Sequence, residues 1–437
     1  MATAAVPQPN SSDSVPEKGA GPLKVPLAFP TASSRPKERP TLTAEQQQKY
    51  DWLLEQVKAW TEIPSTKGKA GPLTDSERFW LTKECLLRYL RATKWHEKEA
   101  EKRLLETLTW RREYGVEELT AEHISPENET GKQILLGYDK EARVCHYLNP
   151  GRQNTEPSPR QVQHLVYMVE RNIDLMPPGQ ETLALLINFK QSKSRSNTAP
   201  SLSLARECLH ILQHHYPERL GRALIINMPW IVTGFFKLIT PFIDPLTREK
   251  LKFNEDMATY VPPEQMWSEF STGKLEFEYD HSAYWPALIK LCNERREARW
   301  QRWVAGGKQL GESEDYLAGA TETGVAGPQL AEGAEKAEVK AEEKPEEKVE
   351  EQKSEGKPEE KPEEKIEEKT EEKTEETAEK AAEKIEEKEE KAAENANADT
   401  PAAAPADEPA APAGADSKTA EVKVEAASGT ENGAAAK

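Results

Sequence analysis

HYPERLGRALIINMPW, residues 215–230, is the stretch on which the fold of this chain turns. Its centre, ALIIN (223–227), is apolar at consecutive positions, so a strand there would be covered on both faces. TLALLINF (182–189) has the same character. Between the two lies a helical run, SLSLARECLHILQ (201–213), and strands alternating with helices in this way argue for a largely parallel sheet covered by helices. The residues that follow raise a question. WIVTGFFKLITPFI (230–243) carries one charge, Lys237, in a chain of mean hydropathy -0.81 whose residues are 31% charged. The run is shorter than the roughly 20 residues that cross a bilayer.

Further short β-like runs lie on either side: ILLGY (134–138), VCHYLN (144–149), LKF (251–253) and TYV (259–261). A helix is expected from Ser158, with Pro159 at its first position and Gln161 completing a capping box, and a shorter one from Pro262-Pro263-Glu264-Gln265. Upstream, residues 41–115 read as a helical lobe. Thr43…Gln46 and Thr74…Glu77 fit capping boxes, Leu86, Leu87, Leu90, Leu104, Leu105 and Leu108 supply apolar stripes, and Gly115 is a helix stop.

Composition divides the 437 residues unevenly. From residue 312 onward there are 38 acidic and 17 basic residues; the rest of the chain carries 39 and 42. The formal charge of -18 therefore belongs to a Glu/Lys-rich tail with KPEEK repeats, and the remainder is close to neutral. The tail has no apolar seam, which argues against a coiled coil. The organisation expected is a disordered 1–40, a helical lobe over 41–120, an α/β domain over 121–305 and an acidic low-complexity tail over 306–437. The N-terminus lacks the pattern of a secretory signal and the four cysteines lie far apart, so a reducing, cytoplasmic setting is expected.

Catalytic signatures are missing: there is no G-x-S-x-G, P-loop, G-x-G-x-x-G or H-E-x-x-H, so no enzyme, metal or cofactor is expected, and nothing resembles a nucleic-acid module. His210, His214 and His215 fall at one helix end and read as structural. Arg88, Arg91 and Lys94 share a helix face, either a solvated one or part of a site.

YPERLG (216–221), followed by an apolar strand and then PFIDPLTREKL (241–251), resembles the CRAL-TRIO lipid-binding family, in its fungal phosphatidylinositol transfer branch. LLRYLRATKWHEKEAEKRLLETLTWRREYG (86–115) is similar to the family's N-terminal helical lobe, and the likeness spans about residues 75–300. RATKW, PFIDPLTREKL and YWPAL look most like members associated with azole resistance and sterol binding.

The resemblance implies that the helix at 230–243 gates a lipid cavity, with Trp230, Phe235 and Phe236 on it; a helix apolar all round is equally a buried core helix. It implies a head-group site of Glu218, Lys250, Lys94 and Thr247 for phosphatidylinositol, whereas a plain surface pair of Glu218 with Lys250 would be worth little. Thr93 stands where phosphatidylcholine-exchanging members carry Arg. Leu183 and Leu185 stand where they carry the hydroxyl residues that hold choline, so the second ligand is expected to be apolar, a sterol. A lipid exchanger working peripherally at membranes such as the endoplasmic reticulum, lipid droplets or cell periphery is the leading reading. A lipid-dependent adaptor whose tail recruits a protein partner is the alternative.

Overall fold

A computed structural model describes residues 21–190, 202–228, 233–234, 243 and 245–325. The expected gate residues Trp230, Phe235 and Phe236, and nearly all of the tail, lie outside the described residues.

One five-stranded sheet runs in the order β1 to β5. β1 (Gln133–Tyr138) and β2 (Val144–Leu148) form an antiparallel hairpin. β3 (Leu183–Asn188), β4 (Leu220–Ile226) and β5 (Leu251–Phe253) then add in parallel. The largely parallel sheet read from LALLI and ALII is present. The helices are α1 (Ala44–Ala59), α2 (Asp75–Trp80), α3 (Lys83–Ala92), α4 (Glu97–Tyr114), α5 (Ala121–Ile124), α6 (Pro159–Leu175), α7 (Leu202–His215), α8 (Pro245–Lys250), α9 (His281–Ala305) and α10 (Glu314–Leu317). The crossovers between parallel strands carry α6 and α7, as parallel pairing requires.

The two faces of the sheet differ. Cys145 is in register with Ala184, and Tyr147 with Leu186, so these four share a face; all are fully buried, and Tyr147 packs edge-on against Trp267 and Phe270. His146 is in register with Leu185, and Gln133 with Leu148, on the other face. There Leu148, Leu185 and Gln133 are only half-buried, and Gln133 reaches His164 of α6.

Both expected capping boxes at Thr43 and Thr74 form, and Gly115 ends α4 in the left-handed conformation. Two local expectations are corrected. Ser158 is the N-cap of α6 but makes no capping bond, because the Gln161 amide turns to Thr155 and Glu156 instead. TYV is not a strand: Met257–Thr259 form a 3-10 turn capped by Asp256. The sequence did not single out the charged run after Asn293, which has a structural role. Arg295 and Arg299 of α9 donate to the carbonyls of Leu175 and Ile173, and Arg296 grips Asp174, so three cations close the negative end of α6.

The edges of the folded body also differ from expectation. Within residues 1–40, read as disordered, the described part from residue 21 is bound to the domain. Leu23 bridges to Phe277, Tyr138 donates to the Ala28 carbonyl and Ser34 is buried. At the other end the fold continues past 305. Leu310 joins the core of the helical lobe, and Tyr316 and Leu317 pack with Trp303. Pro, Ser and Glu in these segments hid a few well-spaced apolar anchors.

Candidate functional site

YPERLG is explained residue by residue. It begins where α7 ends, its last carbonyls capped by Arg103 of α4 and Tyr89 of α3. His215 stacks flat on Trp110, 4.1 Å between centroids, and burial holds its pKa down at about 3, so it is neutral. The Tyr216 hydroxyl donates to Glu170 at 2.7 Å, a carboxylate also held by Arg111. Arg219 is buried and donates to the Glu181 carbonyl. Gly221 has no room for a side chain: a Cβ would sit 2.2 Å from Arg143 Nε and 2.6 Å from Thr182 Oγ1. Between these anchors Glu218 takes a left-handed backbone, φ 58°. A non-glycine residue in that region is uncommon and is over-determined by its surroundings.

The turn fixes where the Glu218 carboxylate goes. Its Oε2 accepts from Arg91 Nε at 2.5 Å, and Arg91 Nη2 reaches Glu181 Oε2 at 3.0 Å. Glu181, nearly buried, also takes Arg88 and Arg39, each at 2.9 Å. Arg88, 4% exposed, binds Glu314 of α10 with its other nitrogen. Arg39 reaches Asp315. Burial works to raise the pKa of Glu181 and Glu314, but the arginines outweigh it and hold both below the ordinary range, Glu314 by far the more. Glu84 lies beside Glu314, and burial followed by that repulsion outweighs Arg39 at 3.5 Å and pushes its pKa up to about 7.

Glu218, Arg91, Glu181, Arg143, Trp95 and Lys37 are among the residues around a cavity of about 730 Å³ at this junction. Lys94, Lys250 and Thr247 do not line it. Lys94 is exposed beyond the end of α3 on a left-handed backbone (φ 52°); Thr247 and Lys250 lie on α8, half-buried. Glu218 makes its ion pair with Arg91 rather than Lys250, so the surface pair left open by the sequence is not formed. Nor is the face of Arg88 and Arg91 a solvated one.

Leu183 and Leu185 share the looser face of the sheet, Leu183 buried and Leu185 half-buried. The polar groups of that face escaped the reading of the sequence. His146 Nε2 meets Gln133 Oε1 at 2.9 Å, and the Gln133 amide meets His164 Nδ1 at 3.3 Å. Burial holds the His146 pKa down at about 3 and that of His164 well below the usual value. The signal available was a histidine at an inward position of an otherwise apolar strand. Among the described residues no cluster of His, Cys, Asp or Glu is arranged to hold a metal, and no helix is long and apolar enough to cross a membrane.

Comparison with known proteins gives two family matches: the CRAL/TRIO domain over residues 128–271 and the CRAL/TRIO N-terminal domain over residues 49–106. The phosphatidylinositol transfer protein PDR17 of Saccharomyces cerevisiae is 44% identical over 259 residues, 57% of this chain and 74% of its own. A CRAL-TRIO domain-containing protein of Schizosaccharomyces pombe is 54% identical over 306 residues, 69% of this chain but 30% of its own, so the chain spans under a third of that relative. The SEC14 cytosolic factor of Candida glabrata is 29% identical over 216 residues, 44% of this chain and 71% of its own.

Proposed function

The chain belongs to the CRAL-TRIO domain family, in its fungal phosphatidylinositol-transfer branch, and we propose that it extracts phosphatidylinositol into an apolar cavity and exchanges it at membrane surfaces against a sterol-like second ligand. Members of this family bind and transfer lipids and are not enzymes. The observation that carries the head-group assignment is Glu218. A left-handed turn locked by its neighbours holds this carboxylate at the wall of a cavity, with one oxygen committed to Arg91. The other oxygen can accept from inositol hydroxyls. Lys250 and Thr247 on α8, with Lys94, supply cation and hydroxyl for the phosphate in the lipid-bound state.

Transfer needs a gate for an energetic reason. Each methylene moved into water costs about 0.8 kcal/mol, so a two-chain lipid does not cross water at a useful rate. The apolar run 230–243, with Trp230, Phe235 and Phe236, serves as that gate: it docks in the bilayer so that one apolar surrounding replaces another. The half-buried Leu185, on the looser face of the sheet, supports acyl or sterol contact there. The acidic tail is left free to recruit a protein partner, and the protein visits membranes peripherally.

The test is transfer of labelled phosphatidylinositol between vesicles. Glu218→Ala and Lys250→Ala should each slow it about tenfold or more with little change in melting temperature, and Phe235→Asp or Phe236→Asp should slow exchange while sparing lipid already bound. Normal transfer by both head-group variants would overturn the assignment. Loss of a cellular function on removing residues 326–437, with transfer intact, would favour the adaptor reading.

A further inference from the structure

Arg91 uses one edge of its guanidinium for two carboxylates: Nε binds Glu218 Oε2 and Nη2 binds Glu181 Oε2. Glu181 is 9% exposed and is already neutralised by Arg88 and Arg39, so it does not need Arg91 as a counter-charge. Glu218 is different. It is a third exposed, on a turn at the cavity wall, and its pair with Arg91 is the one ion pair it makes among the described residues. Without that pair its χ angles would be free, and the carboxylate would sample several rotamers.

We propose that Arg91 and Glu181 are positioning residues for the head group: Glu181 anchors the Arg91 fork, and the fork fixes Glu218 so that Oε1 faces the cavity as an acceptor. The inference rests on the reading of Glu218 as the head-group carboxylate. It also makes that reading specific. A carboxylate with one oxygen tied and the other presented recognises a head group that donates hydrogen bonds, a polyol, and gives nothing to choline, which has no donor. The fork cannot be replaced by a point charge, because lysine has no planar pair of donors to span two carboxylates.

The experiment uses the full chain and acceptor-limited extraction from vesicles containing equal amounts of phosphatidylinositol and phosphatidylmethanol of the same acyl chains, both singly charged phosphodiesters that differ in the inositol. The ratio of the two lipids extracted reports polyol recognition independently of how much protein is folded. Glu218→Ala should reduce that ratio about tenfold, the worth of a hydrogen bond to a charged group. Arg91→Ala and Arg91→Lys should reduce it similarly, Arg91→Lys without loss of thermal stability, and Glu181→Gln should reduce it in the same direction. Arg91→Ala added to Glu218→Ala should reduce it no further, because Arg91 acts through Glu218. Soluble glycerophosphoinositol should compete with lipid for wild-type protein if the head group alone is read, and should fail to compete in Arg91→Lys. A ratio unchanged in Glu218→Ala would overturn the head-group reading itself. A ratio that falls in Glu218→Ala but stays at the wild-type value in both Arg91 variants, or effects that multiply in the double variant, would overturn the positioning role alone.

Discussion

Arg39 and Asp315 are 276 residues apart in the chain, and their side chains meet at 2.7 Å. The pair ties the described N-terminal segment to α10, directly beside Glu181, so both ends of the folded body converge on the wall of the candidate site. A chain ending at residue 325 keeps this arrangement; one ending at 311 removes Glu314 and leaves the buried Arg88 with half its partners. The shorter chain should lose about 3 kcal/mol, the cost of breaking a buried pair, in urea unfolding, and the longer one should match the full chain. Residues 326–437 hold 34 acidic and 17 basic residues. Their repulsion from anionic vesicles reaches about 8 Å at physiological salt, so a chain ending at 325 should bind such vesicles as well or better, most clearly at low salt. Weaker binding on truncation would contradict this.

Glu84 gives the fold a pH dependence of known sign. Its ordinary pKa is 4.5, and burial beside Glu314 pushes it up to about 7. Between those values the folded state keeps a proton the unfolded chain has lost, so this group's contribution falls as pH rises and is fully unfavourable above 7. Glu84→Gln keeps an acceptor for the Glu314 N–H and removes the charge. Its stability advantage over wild type should grow from pH 5 to pH 8 by on the order of 1–3 kcal/mol in urea unfolding. An advantage that stays constant with pH would show that the charge is not the cause.

Gly221 is required for lack of space. Arg143 crosses it while donating to Thr182 at 2.8 Å and Asp139 at 2.9 Å, so it cannot move away cheaply. Gly221→Ala should cost about 1–3 kcal/mol in chemical denaturation, as overpacked sites do. Adding Arg143→Ala should make the glycine substitution itself cheaper.

Leu183 and Leu185 offer no hydrogen bond to a phosphocholine on the sheet face they share. Leaving that head group unpaired by about 3 kcal/mol disfavours it more than a hundredfold. Wild-type protein should therefore exchange phosphatidylcholine far more slowly than phosphatidylinositol between vesicles. Leu183→Ser with Leu185→Thr should recover part of that exchange and weaken sterol binding. Equal rates for the two phospholipids in wild type would end this account.

The sheet was legible because β3 and β4 are apolar at consecutive positions, a pattern that few arrangements other than a covered parallel sheet produce. The helical lobe was legible from its hydroxyl caps. The ion network was not. Arg88, Glu181 and Glu314 lie on three separate segments, and a charged residue has no periodic signature that distinguishes a buried partner from a solvated one. Glu218 could be singled out only through the likeness of YPERLG to a family. That Arg91, rather than Lys250, grips it depends on the left-handed turn, which the residue types do not announce. The binding of residues 21–40 was missed because its anchors are few and of mixed kind, the apolar Leu23 and Leu27, the Arg39 guanidinium and the Ala28 carbonyl held by Tyr138, and they follow no period.

The pairing of Arg88 with Glu314, 226 residues further on, also sets an order in time. Chains grow from the N-terminus at about 5–20 residues per second, so the helical lobe exists for roughly 10–45 s before Glu314 has been added. Leu310, which completes that lobe's core, arrives equally late. During synthesis the first-made part of the molecule is the last to be finished, and it waits with an unclosed apolar surface and a half-partnered guanidinium. Chaperones that hold nascent chains should find their longest-lived target in α1 to α4, ahead of the sheet.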